Sequence, residues 1–299
     1  MKFIVKKIKE GKRNLTKPFT TRPLMTHILD DHYIADANNA HIDTSEFESE
    51  LDELFGKPIE QGLSYAELYS KIHDLIEAKV SISPNEPSDD QIICRYLSPT
   101  KFLWFISEME IFFGRASNFD DARDSTVPED YNRCVQHYLM KRNVISSAWV
   151  EHVRRVQSLW LVSCWTEITD HHDDHLLWHK YAGGDYGVGI TMRYGILRDL
   201  FRRESGDDSN TEGLFAGYVS YEQPLKIAPF NKRRIFRNEK EIRFASRSDT
   251  LNNKRIRIAE LKSEIGLRIS PEASLSHREA IRDIWLRLGG EDRIHVAGE

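Results

Sequence analysis

Glu239 and Glu241 stand one residue apart, just before Arg243, in the run Arg237-Asn238-Glu239-Lys240-Glu241-Ile242-Arg243-Phe244. The alternation predicts a strand over 237–244. Ile242 and Phe244 point to a core, while Glu239, Glu241 and Arg243 point the other way, about 7 Å apart per step. Paired carboxylates suit chemistry at a sugar carbon, where a positive oxocarbenium-like charge develops and a fixed negative charge stabilises it. The same pattern also fits a surface Glu–Arg ladder, whose ion pairs contribute little.

A second constellation is rich in histidine. His171, His175 and His179 fall at i, i+4 and i+8, on one face of an expected helix, with His172, Asp173 and Asp174 alongside. Imidazoles and carboxylates at this spacing can hold zinc, nickel or manganese. The zinc-protease pattern needs Glu directly after its first histidine, and His172 or Leu176 stands there instead. A metal-dependent nuclease built on this helix is one functional reading; a polar, exposed helix start is the plain alternative.

Basic clusters recur at Arg193, Arg198, Arg202 and Arg203, at Lys232, Arg233, Arg234 and Arg237, and at Lys254, Arg255 and Arg257, with Phe201, Phe230 and Phe236 interleaved. Such mixtures suit phosphate contacts and base stacking, so nucleic acid is a candidate partner, with or without catalysis. Asn118-Phe119-Asp120-Asp121 is a turn by composition, and Asn118 is a candidate for binding ribose hydroxyls. Gly187 and Gly189 follow a helix and lie on a strand. That order is not the strand–loop–helix of a phosphate loop, but it leaves room for a ligand over the strand. Cys164 sits in the apolar run 159–165, where a thiol is usually inert.

The elements that must position these groups follow from periodicity. Strands are expected at 91–97, 111–114, 159–165, 186–192, 218–221, 265–269 and 293–296, with helices at 101–109, 128–156, 193–203 and 276–288. Short strands mixed with helices, without regular alternation, indicate an α+β domain of small mixed sheets with flanking helices over 91–299. Before it, residues 1–90 read as an appendage: a short strand at 2–8, a basic tether, then acidic helices from Thr44 and from Ser64, whose spacing to Glu67 is that of a capping box. The stretch 81–90 is a linker by composition.

Composition bounds the function. At 299 residues the chain can bury a sizeable core. Its net charge of −5 hides an asymmetry: residues 1–22 hold eight Lys/Arg and one Glu, whereas 23–93 hold sixteen Asp/Glu and three Lys. Such a distribution suggests interaction surfaces. No apolar run approaches the ~18 residues of a membrane span, and the start is too short in apolar residues for a secretory signal. Cys94, Cys134 and Cys164 are scattered and odd in number, which argues against a disulfide framework; the expected compartment is the cytoplasm.

Several segments together resemble a widespread bacterial family catalogued only as a domain of unknown function. They are Arg95-Tyr96, Ser117-Asn118-Phe119-Asp120-Asp121, Ser163-Cys164-Trp165, Leu177-Trp178-His179-Lys180-Tyr181-Ala182 with Gly187-Val188-Gly189-Ile190, and Glu239-Lys240-Glu241-Ile242-Arg243, over roughly 92–297. A second resemblance bears on mechanism. ADP-ribosyltransferases carry an Arg or His on a first strand, a Ser or Tyr on a middle strand, and a Glu, often in Glu-x-Glu, on a late strand. This chain offers the same order in Arg95, Tyr181 or Tyr186, and Glu239/Glu241, but it has no Ser-Thr-Ser on the middle strand.

The resemblance implies an ADP-ribosyltransferase-like core with Glu241 as the catalytic acid and Glu239 positioning the acceptor. It implies that Arg95, beside Tyr96, holds the ribose or phosphate of NAD, and that Tyr181 or Tyr186 packs on nicotinamide. Some phage-defence toxins controlled by antitoxins belong to this broad class, which would make the acidic N-terminal segment a natural place for an antitoxin or regulator. The reading is therefore a toxin that transfers ADP-ribose from NAD to a macromolecule, RNA or DNA ahead of protein.

Overall fold

The structure is a computed structural model. It describes residues 45–56, 64–80, 82–119, 121, 124–142, 144, 146–168, 175–205, 214–221, 225, 227–251 and 253–297. All belong to the unit His41–Glu299. The expected strand at 2–8, the basic tether after it and His171 to Asp174 lie outside the described residues.

In chain order the elements are α1 (Ser45–Gly56), α2 (Tyr65–Lys79), β1 (Ile92–Leu97), α3 (Pro99–Glu108), β2 (Glu110–Arg115), α4 (Glu129–Lys141), α5 (Ser146–Ser158), β3 (Trp160–Glu167), β4 (Val188–Arg193), α6 (Tyr194–Ser205), β5 (Phe215–Tyr218), β6 (Glu241–Arg247), β7 (Asn253–Arg257), β8 (Gly266–Ile269), α7 (Leu275–Arg287) and β9 (Ile294–Val296). The fold is α+β. The strands expected to form small sheets join one sheet in the order β5-β6-β3-β1-β4-β8-β9, with β2 and β7 branching from β3. Strand β3 explains the join. One of its edges pairs with β6 along 160–166, while the other is shared, β2 meeting 161–162 and β1 meeting 166–167. All pairings are antiparallel except β8 with β9.

One face of the sheet carries the main core. Ile93, Leu97, Leu161, Trp165, Ile190, Ile242 and Phe244 pack there against Phe102 and Phe105 of α3, Leu197 and Phe201 of α6, and Trp285 of α7. Each such fully buried side chain contributes about 1.5–3 kcal/mol.

A second apolar cluster is mainly helical: Phe47 and Leu51 of α1, Ile72 and Ile76 of α2, Val135 and Leu139 of α4, and Trp149 of α5. The single helix expected over 128–156 is two, ending at Lys141 and restarting at Ser146, so that both halves fold onto this cluster. Helix α2 opens on the expected capping box. The Glu67 N–H donates to Ser64 Oγ at 3.4 Å and the Ser64 N–H to Glu67 Oε2 at 2.9 Å. The linker-like stretch is tied down: the Tyr218 N–H donates to the Asn85 carbonyl, Gly195 N–H to the Asp89 carbonyl, and Glu86 accepts from Tyr194 and Arg202.

Candidate functional site

Register sorts the candidate residues by face. Glu241 pairs with Thr166, Thr166 with Cys94, and Cys94 with Thr191; Arg243 pairs with Cys164. Directly paired residues project to the same side. Glu241, Arg243, Cys164, Thr166, Cys94 and Tyr96 therefore share the face opposite the main core. Arg95 does not join them. It alternates with Ile93 and Leu97 on the core face, where its Nη1 donates to Ser163 Oγ at 2.7 Å. The expected convergence of Arg95 with the two glutamates is not formed.

The glutamates themselves sit in a buried ionic network. Arg243 is fully buried and grips two carboxylates with two bonds each, Glu241 at 2.7 and 3.0 Å and Asp124 at 2.6 and 2.8 Å. It also donates to Ser125 Oγ and the Pro229 carbonyl, and its guanidinium lies 5.3 Å from the Phe119 ring. Lys232 Nζ bridges Glu239 at 2.6 Å and Glu241 at 2.7 Å. With Lys180 on Glu239, three cations balance the three carboxylates of Asp124, Glu239 and Glu241. Burial alone would raise the Glu241 pKa, but the Arg243 and Lys232 charges hold it far below the usual carboxylate range. At neutral pH Glu241 is thus an anion with no proton to give up.

Glu239 reaches this network by a kink. The strand expected from residue 237 begins only at Glu241, because Arg234–Glu239 coils into a 3-10 turn and Lys240 takes φ 42°, ψ 48°. A non-glycine residue there costs about 1 kcal/mol, and such strain is tolerated where the surroundings fix it. The kink swings the Glu239 carboxylate beside that of Glu241.

Tyr181 is brought to the same place. Its hydroxyl donates to Glu239 Oε1 at 2.9 Å, and Lys180 Nζ donates to that oxygen at 2.7 Å. The Lys180 ammonium lies 4.8 Å from the Tyr181 ring centre and 4.5 Å from that of Phe236. An anion and two aromatic rings thus flank the half-exposed Lys180, and the Phe236 ring is shared with Lys232 at 4.9 Å and Arg233 at 5.3 Å. Burial foremost, and the Glu239 charge, raise the Tyr181 pKa, so its hydroxyl stays protonated.

The remaining candidates are dispersed. Tyr186 is 59% exposed and stacks edge-on against His277. Asn118 is exposed, directly before Phe119. Tyr96 is buried against Trp178, and its hydroxyl accepts from Arg268 at 3.3 Å. The space over Gly187 and Gly189 is filled by protein. An added Cβ would meet Ala182 and Trp178 at the first, and Cys94 Sγ at 2.6 Å at the second. Burial and the nearby Glu241 push the Cys164 thiol far up, which keeps it un-ionised. His175 and His179 converge on Glu272, while His171 lies outside the described residues.

Two members of the network, Asp124 and Lys232, lie outside the expected catalytic and cofactor-binding set, although Lys232 opens the basic run before Glu239 and Asp124 follows the turn at Asn118–Asp121. On the same face, a groove of about 340 Å³ is lined by Arg193, Arg268, Arg293, His295, Thr191 and Glu264. No helix among the described residues is long and apolar enough to cross a membrane. No family model matches the chain, and neither a curated protein nor a solved structure shows significant similarity to it.

Proposed function

We propose that the protein is an NAD-consuming, ADP-ribosyltransferase-like enzyme whose reaction centre is the Glu239/Glu241 pair beside Tyr181. The observation that carries this reading is the cation seat formed by Glu239, Tyr181 and Phe236. The nicotinamide ring of NAD is a planar cation, and the Lys180 ammonium occupies the kind of position such a ring would take. Lys180, half exposed, is the member that a bound ring would displace.

Breaking the bond between ribose and nicotinamide leaves the electron pair on nicotinamide and positive charge on the ribose. With Lys180 displaced, two cations face the three carboxylates of the network, and the unbalanced negative charge at Glu239 stabilises that charge as it grows. Tyr181 orients Glu239 and offers a ring against nicotinamide. The basic groove lined by Arg193, Arg268 and Arg293 lies on the glutamate face and supports a diphosphate-holding role that Arg95, on the opposite face, does not.

The acceptor is read as nucleic acid, since Arg234 and Arg237 are exposed on the turn that leads into Glu239. Incubating the protein with NAD labelled on its adenylate and with total cell extract, then separating protein from nucleic acid, tests the reading. Label is expected in the nucleic-acid fraction. Label in protein overturns the acceptor, and unconsumed NAD overturns the enzyme.

A further inference from the structure

We infer that His175, His179 and Glu272 form a binding site for a divalent metal ion of the zinc class. His175 and His179 stand one helical turn apart at 175–179, and Glu272 comes from the turn between β8 and α7, more than ninety residues later. The two Nε2 atoms are 3.3 Å apart. Glu272 Oε1 lies 3.3 Å from His179 Nε2 and 2.8 Å from His175 Nε2. A tetrahedral zinc centre with bonds of about 2.05 Å has donor–donor edges of about 3.3 Å. Two of the three edges already have that length, and the third needs to open by about half an ångström.

The donor chemistry agrees with the geometry. Both Nε2 atoms and one carboxylate oxygen lie within 3.3 Å of one another, and a neutral imidazole Nε2 and a carboxylate oxygen are each lone-pair donors to a metal ion. A dication accepts all three lone pairs at once. Two imidazoles and a carboxylate suit zinc, and disfavour magnesium or calcium, which take oxygen sets. The side chains are one-third to one-half exposed, so an ion can enter from solvent.

The local backbone favours the arrangement. The helix widens to a π-turn over Trp178–Ala182, a distortion found often at functional sites. It stops at Gly183 and Gly184, both left-handed, and a Cβ at Gly184 would come within 3.4 Å of His179 Nδ1. The same turn sends Lys180 and Tyr181 to Glu239 on its other side. A metal here clips that turn to the start of α7.

The test is calorimetric titration of the metal-stripped, full-length protein with zinc chloride, on wild type, His179→Ala, Glu272→Gln and, as a control, the exposed His137→Ala. One equivalent is expected to bind wild type and His137→Ala alike. His179→Ala and Glu272→Gln should each weaken binding by about tenfold or more. Both positions are exposed, so their circular dichroism should match wild type. Zinc should also raise the thermal midpoint of wild type and not of His179→Ala. Absence of binding to wild type, or equal binding to all four proteins, overturns the inference.

Discussion

The Tyr181 hydroxyl lies 2.9 Å from Glu239 Oε1, joining the turn before β4 to the kink before β6 across 58 residues of sequence. The contact sets apart two tyrosines that the sequence leaves equivalent. It places one aromatic ring beside the carboxylate pair and leaves Tyr186 at the surface against His277.

Tyr181→Phe removes the hydroxyl and keeps the ring. On the proposed reading, NAD turnover should fall about tenfold or more, because Glu239 loses an orienting donor. Tyr186→Phe should leave turnover unchanged. Steady-state rates of the two variants, compared with wild type, check both expectations.

Arg243→Met tests the network as a structural unit. It strands Glu241 and Asp124 as buried anions without their shared partner, and breaking a buried pair in this way costs about 3–5 kcal/mol. Urea unfolding should show a lowered midpoint with an unchanged slope. A midpoint within error of wild type would show that the network does not hold the face together.

Acid should act on the helical cluster first. Burial foremost, then the charges of His73 and Arg155, lower the His152 pKa from 6.5 to about 4. The unfolded chain then binds more protons than the folded one between those values, so stability falls as pH drops from about 6.5 to about 4, by about 2–3 kcal/mol. Glu241, also depressed, adds a further loss that starts near its unfolded value of 4.5 and continues below it. His152→Asn should flatten the upper part of the profile and leave the lower part, as read by denaturant midpoints across pH.

Much of the sheet was legible because its strands are apolar on at least one face and bounded by turns. Strand β7 was not: Asn253-Lys254-Arg255-Ile256-Arg257 has a single apolar residue and reads as a basic cluster until β2 pairs with it. The face of Arg95 was in fact written locally, since Ile93 and Leu97 flank it two residues away on either side and claim that face for the core. The strand expected at 237–240 failed at Lys240, whose left-handed backbone leaves no mark in the pattern of apolar residues. Asp124 and Glu272 meet their partners across 119 and about ninety residues, and no local spacing encodes such contacts.

Gly189→Ala tests the thin strand under Trp178. The added methyl would meet Cys94 Sγ at 2.6 Å and Arg268 Cβ at 3.3 Å. Overpacking of this kind costs about 1–3 kcal/mol. A thermal midpoint unchanged by the substitution would mean that the Cys94 and Arg268 side chains are free to shift.

The most direct measurement is nicotinamide release from NAD by wild type and by Glu239→Gln, each first matched by its unfolding curve. The account predicts steady release by wild type and a loss of about a hundredfold in the variant, with the fold retained. Equal release by the two proteins, or none from wild type, would contradict it.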